Sequence, residues 1–178
     1  ATLTTDHKIH IWNAADGDEL QQFGPLAGPV TAFAFHPNDP LLFTASLAKT
    51  EPSTSLVQAW NFHDGKTVSD PLRADGIIRS MTMHPDGQRV LLHVRDTTGD
   101  GSHARFWDIE TATPDAFLFL HRDPISGVEL NSTGSLLLTS GEDGTVRLWD
   151  TSKVKPVGSA FRHATPIRDM QCSHHGRF

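Results

Sequence analysis

A short hairpin pattern recurs along the chain, and it constrains the fold more than any other feature. In its clearest copy, LLLTSGEDGTVRLWD at 136–150, an apolar strand, a Gly-Glu-Asp-Gly turn and an alternating strand follow one another. Glycine tolerates positive φ and aspartate hydrogen-bonds its own backbone, so these turn residues favour a tight hairpin. The tryptophan that closes the pattern recurs at intervals of 48, 47 and 42 residues, as Trp12, Trp60, Trp107 and Trp149.

A second landmark repeats with the same spacing. It is a short strand that ends in a turn, such as TAFAFHPND or RSMTMHPDG, and equivalent positions again lie 48, 47 and 42 residues apart. Its copies occupy residues 31–39, 79–87, 126–134 and 168–176. Repeats of this length with four short strands in each unit are typical of propeller blades. The sequence therefore predicts an all-β chain built from repeated antiparallel sheets.

At these residues the chain resembles the WD-repeat β-propeller family. The resemblance is carried by GEDGTVRLWD at 141–150, HARFWD at 103–108, the HPDG turn at 84–87, and His121 and His163 ahead of inner strands. It covers the whole chain and implies a propeller of WD-type four-stranded antiparallel blades. Phrases such as DGKTVSDPLRADG and KPVGSAFRHATP also resemble WD repeats of large bacterial multidomain proteins.

The repeat pattern predicts one propeller segment of three whole blades and two partial ones. The predicted bounds are 1–25 for the first partial blade, 26–73, 74–120 and 121–163 for the whole blades, and 164–178 for the last partial blade, with an inner strand at 167–172. Because the chain begins and ends within the pattern, we expect a fragment of a larger ring whose remaining blades belong to a longer parent chain. The alternative is a closed four-blade ring, in which His163 would meet Thr4, Asp6 and Trp12.

Composition excludes several classes of partner. The chain has 15 basic and 21 acidic residues, a net charge of −6, and no basic cluster larger than a pair of charges, so we expect no nucleic acid partner. Its longest apolar run, 116–120, is far below the ~20 residues of a membrane span. A single cysteine, Cys172, excludes an internal disulfide framework. With no secretory signal seen, we predict a cytoplasmic protein without a membrane partner.

The family resemblance implies a structural hydrogen-bond relay in each well-formed blade. In such a relay a histidine before the inner strand bonds an aspartate in the following hairpin turn, and a Ser or Thr hydroxyl links them to the tryptophan indole. His121, Asp143 and Trp149 match in one blade, where Gly141 takes the hydroxyl position, so we expect an incomplete relay there. The other matching positions are Thr4, Asp6, Trp12 and His163. An acid–base pair is the alternative for His121 and Asp143, but a pattern that repeats with the fold favours structure.

No constellation for catalysis or metal binding stands out. Histidines His36, His84 and His174 fall near equivalent turns of different blades, whereas a metal site needs converging ligands. The GDG at 99–101 lacks the alternating carboxylates of a calcium loop. We therefore predict no catalytic residue, no metal and no cofactor. A propeller enzyme with a site in the channel mouth is the alternative, although the inner-strand column offers no converging acids or histidines.

Two long loops suggest where a partner binds. The residues between the second and third strands, 47–55 and 95–103, are rich in Ser, Thr, Gly, Asp and Pro, which predicts surface loops. In the family these loops share a face with the loops that enter the inner strands, and elaborated loops on a rigid scaffold commonly carry binding. We predict a protein–protein interaction scaffold that binds a protein or peptide there; tolerated insertions, or a sensor domain of a bacterial signalling protein, are the alternatives. The candidate face residues are Lys49, Glu51, Arg73, Asp75, Arg95, Asp100, Arg122 and Asp123.

Overall fold

The computed structural model describes residues 1–24, 26, 28–51, 53–97 and 101–172. Every regular element within these residues is a β-strand, and they contain no helix that is long and apolar enough to cross a membrane. The chain divides into two compact units, residues 1–78 and 79–178. Each unit is built from two antiparallel sheets.

The first unit holds a three-stranded and a four-stranded sheet. The three-stranded sheet has the order β1 (Thr2–Leu3), β2 (Ile9–Trp12), β3 (Glu19–Phe23). The four-stranded sheet has the order β4 (Val30–Phe35), β5 (Leu41–Leu47), β6 (Thr54–Asn61), β7 (Leu72–Asp75). Each strand pairs with the next along the chain, so short turns are sufficient to connect them.

The second unit repeats this plan. Its first sheet contains β8 (Ile77–Met83), which begins at the boundary between the units, then β9 (Arg89–Arg95), β10 (Ser102–Asp108) and β11 (Thr113–Pro114). Its second sheet contains β12 (Ile125–Leu130), β13 (Leu136–Gly141), β14 (Thr145–Asp150), β15 (Lys155–Pro156) and β16 (Phe161–Arg162). Both β15 and β16 pair with β14, so the outer strand of this sheet is interrupted. The predicted all-β architecture of four-stranded antiparallel blades is confirmed.

The last predicted inner strand is not formed in the described residues. Residues 167–172 carry no strand; instead the Cys172 N–H donates to Glu129 Oε2 at 2.7 Å. The Met170 side chain lies beside Gly127 of β12. A strand is defined by a hydrogen-bonded neighbour, and here one side-chain hydrogen bond and apolar packing take the place of a ladder. Residues 173–178 of that predicted blade lie outside the described residues.

Three of the four recurring tryptophans share one register. Each of the three lies opposite an apolar residue of the second strand of its sheet: Leu42 opposite Trp60, Val90 opposite Trp107, and Leu137 opposite Trp149. The shared register also shows which positions of the second strands are equivalent in the three sheets. Two residues further on are Thr44, Leu92 and Thr139, and three residues further on are Ala45, His93 and Ser140. Odd and even members of such a strand face opposite sides of the sheet.

Each unit has an apolar core between its two sheets. In the first unit Ile9, Ile11 and Phe23 pack with Leu42, and Phe23 stacks on Trp60 with ring centroids 5.8 Å apart. In the second unit Phe119 meets Trp149 edge to face at 5.4 Å, within a cluster that includes Leu91, Phe106 and Leu137. Burial of a large apolar side chain is worth roughly 1.5–3 kcal/mol, so these contacts stabilise the face-to-face packing of the sheets.

Candidate functional site

In the second unit a continuous chain of side-chain contacts runs from Trp149 through Thr139 and His121 to Asp143. His121 precedes β12 and Asp143 lies in the turn between β13 and β14, with His121 Nδ1 3.3 Å from Asp143 Oδ1. His121 Nε2 lies 2.7 Å from Thr139 Oγ1, which accepts the Trp149 indole N–H at 2.8 Å. The side chains of His121 and Asp143 are 0% and 7% exposed. We call Trp149, Thr139, His121 and Asp143 the His121 relay.

All donors and acceptors of the His121 relay are paired if its hydrogen bonds run in one direction, from the Trp149 indole towards Asp143. An indole nitrogen only donates, so Thr139 accepts from Trp149 and is free to donate its own hydrogen to His121 Nε2. His121 Nδ1 then carries the proton and faces the Asp143 carboxylate. Burial lowers the pKa of His121, against the opposing effect of Asp143, so the ring is neutral at pH 7. Every polar group in the relay is thereby paired in the buried interior.

Asp143 is held ionised by its neighbours. Burial alone would raise the pKa of its carboxyl, but hydrogen bonds from the Thr145 hydroxyl and backbone N–H, from His121 and from the Arg122 N–H lower that pKa to about 2. The Thr145 hydroxyl is 2.6 Å from Asp143 Oδ1 and the Arg122 N–H is 3.2 Å from Oδ2. The aspartate therefore ties the hairpin turn to the segment that enters β12.

The structure corrects the expectation that Gly141 takes the hydroxyl position. Thr139, two residues earlier, supplies the hydroxyl. A Cβ at Gly141 would lie 2.5 Å from His121 Nδ1, so the glycine leaves room for the imidazole instead. The cross-strand register that places Trp149 opposite Leu137 brings Thr139 into reach of the indole, and the linear motif does not show this.

The sequence analysis expected a Ser or Thr partner for the tryptophan indole but did not identify the threonines that supply it. Trp12 Nε1 donates to Thr2 at 2.8 Å and Trp60 Nε1 donates to Thr44 at 3.0 Å. At the equivalent position of the third sheet stands Leu92. Among the described residues the buried Trp107 Nε1 accordingly finds no hydrogen-bond partner. Aligning the second strands on the residues that lie opposite the tryptophans would have shown that Thr44, Leu92 and Thr139 occupy equivalent positions.

The predicted relay of the first partial blade is rearranged. The Thr4 hydroxyl donates to Asp6 Oδ1 at 2.5 Å, but Trp12 is bonded to Thr2 rather than to Thr4. Both Thr4 and Asp6 are exposed. His163 is also exposed, and its backbone N–H donates to the Gly144 carbonyl at 2.8 Å. A pairing of His163 with residues of the first partial blade stays a prediction.

The loops that were expected to share a face are in contact within each unit. In the second unit Glu142 N–H, in the β13–β14 turn, donates to the Pro124 carbonyl at 2.9 Å, beside the bond between Arg122 and Asp143. In the first unit Gly76 N–H, ahead of β8, donates to the carbonyl of Ser53 at 2.8 Å. The segment that enters an inner strand thus lies beside a loop that joins second and third strands.

The candidate face residues fall into two groups, one in each unit. In the first unit Glu51 and Arg73 form an ion pair, while Lys49 and Asp75 are exposed. In the second unit Arg95, Arg122 and Asp123 are exposed, and Arg95 and Asp123 line one cavity. Asp100 lies outside the described residues.

The cavity in the second unit has a volume of about 850 Å³. It is bounded by β8, β9 and β10 on one side and by residues 123–128 with Glu142 on the other. We call it the His93 cavity, because His93 projects into it from β9 and is 6% exposed. The sequence analysis did not select His93, although it stands in the column of Ala45 and Ser140, where a large polar side chain is out of place. In the described part of the chain no group of His, Cys, Asp or Glu side chains is placed to hold a metal ion.

Comparison with known proteins agrees with the repeat pattern. Residues 17–50 and 113–150 match the WD40 family model, described as WD domain, G-beta repeat. A protein named Periodic tryptophan protein 2 homolog from Neurospora crassa is 29% identical over 119 residues, which is 67% of this chain and 12% of that protein. Periodic tryptophan protein 2 from Saccharomyces cerevisiae is 26% identical over the same shares of both chains. The Schizosaccharomyces pombe homolog is 28% identical over 47% of this chain and 9% of its own length. The matched segment thus spans about an eighth or less of these relatives.

Proposed function

Because the chain carries WD40 repeats, we propose that it is a protein–protein interaction scaffold, a rigid propeller platform within a larger protein or complex. We propose further that it binds its partner through the face formed by the loops ahead of the inner strands and the loops between second and third strands. The observation that carries this proposal is the contact of these two kinds of loop in each unit, through Glu142 and Pro124 and through Gly76 and Ser53.

The scaffold beneath this face supports the proposal. The His121 relay ties the segment ahead of β12 to the β13–β14 turn and to Trp149 in the core, so the loops are anchored to buried structure. The charges of Arg95, Arg122 and Asp123 then project from a fixed frame. Charged groups on a fixed frame favour recognition of a complementary partner, because little side-chain and loop ordering remains to be lost on binding.

An enzymatic role is less well supported. His121 and Asp143 would be the acid–base pair, but both side chains are buried and each is satisfied by the other, by Thr139 and by Thr145. A general base must reach a substrate proton, and these groups face the protein interior. A cytoplasmic location, and partners that include further blades of a longer chain, stay predictions.

The proposal can be tested by photo-crosslinking in the full-length protein. A photoreactive amino acid would replace Arg95 or Asp123 on the proposed face, and, as controls, Glu110 in an exposed turn or the exposed Lys155 of β15. We expect a crosslinked partner protein from the first pair and none from the second. Charge reversal by Arg95→Glu or Asp123→Lys should weaken capture of that partner severalfold at an unchanged melting temperature. Crosslinks confined to the Glu110 and Lys155 positions contradict the proposal.

A further inference from the structure

Two buried polar groups in the sheet β8–β11 have no hydrogen-bond partner, although their equivalents in the sheet β12–β16 do. The first is the indole N–H of Trp107, which occupies the position equivalent to Trp149; both residues are 8% exposed. The Trp149 N–H donates to Thr139, whereas the Trp107 N–H has no acceptor within the described residues, because Leu92 stands in place of the threonine. The two tryptophans therefore differ in hydrogen bonding and not in exposure.

The second unpaired group belongs to His93 of β9. His93 is 6% exposed, and its Nε2 is buried without a hydrogen-bond partner in the part of the chain that the structure describes. At the equivalent position of β13, the hydroxyl of Ser140 lies 2.8 Å from that of Ser126, so these two hydroxyls pair. Arg105 and Arg147, which are also equivalent, are each unpaired at Nε and so do not distinguish the two sheets.

The His121 relay, which ties β13 to β14, has no counterpart in the β9–β10 hairpin. Counted back from the aligned tryptophans, Gly101 takes the place of Asp143. Counted back from the inner strands, Ala74 takes the place of His121. Neither a carboxylate nor an imidazole is therefore available to build the network at these positions.

The backbone ladder by itself favours the opposite order of stability. β9 and β10 form seven register pairs, and β13 and β14 form five. The two additional pairs involve Ser102 and His103 of β10 and lie at the loop end of the hairpin, where strands fray at little cost. A backbone hydrogen bond adds less to stability than an unpaired buried group removes, because water hydrates that group as soon as the structure opens. The unpaired side chains therefore decide which hairpin is weaker.

We propose that the β9–β10 hairpin is a conformational device, which opens locally from the closed state that the structure shows while the sheet β12–β16 stays folded. Opening hydrates the Trp107 N–H and His93 Nε2 and breaks the ladder between the two strands. It also exposes the apolar side chains of Leu91 and Phe106, which are 0% and 2% exposed in the closed state. In the opened state the strand edges of β9 and β10 become available for hydrogen bonding to another strand.

Native-state hydrogen exchange of the full-length protein, read by mass spectrometry for each hairpin, measures the two opening equilibria. We expect the opening constant of β9–β10 to exceed that of β13–β14 by about tenfold or more, the factor that one unpaired buried group of ordinary cost contributes. Trp107→Phe and Trp149→Phe are matched variants, because each removes an indole N–H from a position of equal exposure. Trp107→Phe should raise the opening constant of its hairpin about tenfold less than Trp149→Phe does, since only Trp149→Phe breaks a hydrogen bond.

Leu92→Thr provides a second measurement, because it supplies the acceptor that Thr139 supplies in β13. Its cost in apolar packing is cancelled by introducing the same change into the Trp107→Phe protein. We expect Leu92→Thr to raise the opening constant about tenfold less when the Trp107 indole is present than when it is absent. If Leu92→Thr prevents folding, the comparison of Trp107→Phe with Trp149→Phe is decisive without it.

Protection of β9–β10 that equals or exceeds that of β13–β14 overturns the proposal. A loss of protection in Trp107→Phe as large as that in Trp149→Phe also overturns it. Equal effects of Leu92→Thr with and without the indole would mean that the Trp107 N–H gains nothing from an acceptor, and they contradict the proposal for the same reason.

Discussion

Replacing Thr139 by valine removes one oxygen atom from the His121 relay while keeping the shape of the side chain. The Thr139 hydroxyl accepts the Trp149 N–H and faces His121 Nε2, so Thr139→Val deprives two groups of a partner at once. The matched control is Thr44→Val in the first unit. The Thr44 hydroxyl accepts the indole N–H of Trp60, and no histidine shares it.

The expected magnitude follows from burial. Thr139 is 0% exposed, Trp149 is 8% exposed and the His121 side chain is fully buried, so water cannot replace the lost hydroxyl. A buried polar group left without a partner costs about 1–3 kcal/mol, and two such groups together cost about 2–6 kcal/mol. Thr44→Val removes the partner of one half-buried indole, so it should lower the free energy of unfolding by about 1 kcal/mol.

Native-state hydrogen exchange, measured by mass spectrometry on the full-length protein, reports these changes locally. A loss of about 2 kcal/mol corresponds to a fall in protection of about 30-fold. We expect a fall of that size or larger in β13 and β14 for Thr139→Val, with the first unit unchanged. Thr44→Val should lower protection in β5 and β6 by about fivefold.

The reasoning is refuted if Thr139→Val changes the free energy of opening of β13 and β14 by less than about 1 kcal/mol, or by no more than Thr44→Val changes that of β5 and β6. Either result would mean that the Thr139 hydroxyl contributes no more to stability than the Thr44 hydroxyl does. The contact between Thr139 and His121 Nε2 would then add nothing to the stability of β13 and β14.

Three further changes test the packing and the electrostatics. Trp149→Ala should destabilise β13 and β14 by about 3–5 kcal/mol in hydrogen exchange, because it deletes a buried aromatic ring that contacts Phe119; a change below about 1 kcal/mol contradicts the core assignment. Gly144→Ala should cost about 1–3 kcal/mol more than Gly158→Ala, since both glycines have φ near +70° but only at Gly144 would a Cβ meet a backbone oxygen, that of His163, at 2.7 Å. Because the pKa of His93 falls from 6.5 to about 4 on folding, the unfolded chain binds the extra proton between these values, and the second unit should lose about 3 kcal/mol of stability as pH falls from 6.5 to 4. His93→Ala should remove this contribution and leave a shallower pH dependence, since the pKa values of His103 and His121 in the same unit are also lowered by burial; an unaltered profile would contradict the assignment.

The repeat of the hairpin determined the class of fold from the sequence alone. Gly and Asp in a turn, and alternation along the strand that ends in Trp149, are local properties that each copy carries within itself. Two landmarks with the same intervals then required a series of equivalent antiparallel sheets. The candidate loops could be located for the same reason, because polar residues between two predicted strands indicate a surface loop.

The partners of individual side chains were decided only by tertiary structure. Thr139 rather than Gly141 meets Trp149, because cross-strand register sets which residues are opposite, and register is a relation between two strands. The segment 167–172 is a second example. Its alternating apolar residues predict a strand, but a strand forms only where a neighbouring strand is available for hydrogen bonding. The burial of His93 also depends on tertiary structure: its ring lines the cavity between β9 and the segment at 123–128, and its Nε2 is buried without a hydrogen-bond partner in the described residues. Hydrogen bonding and burial depend on contacts between residues that are distant in sequence, so the pattern along the chain shows where a strand runs and not which groups it finally meets.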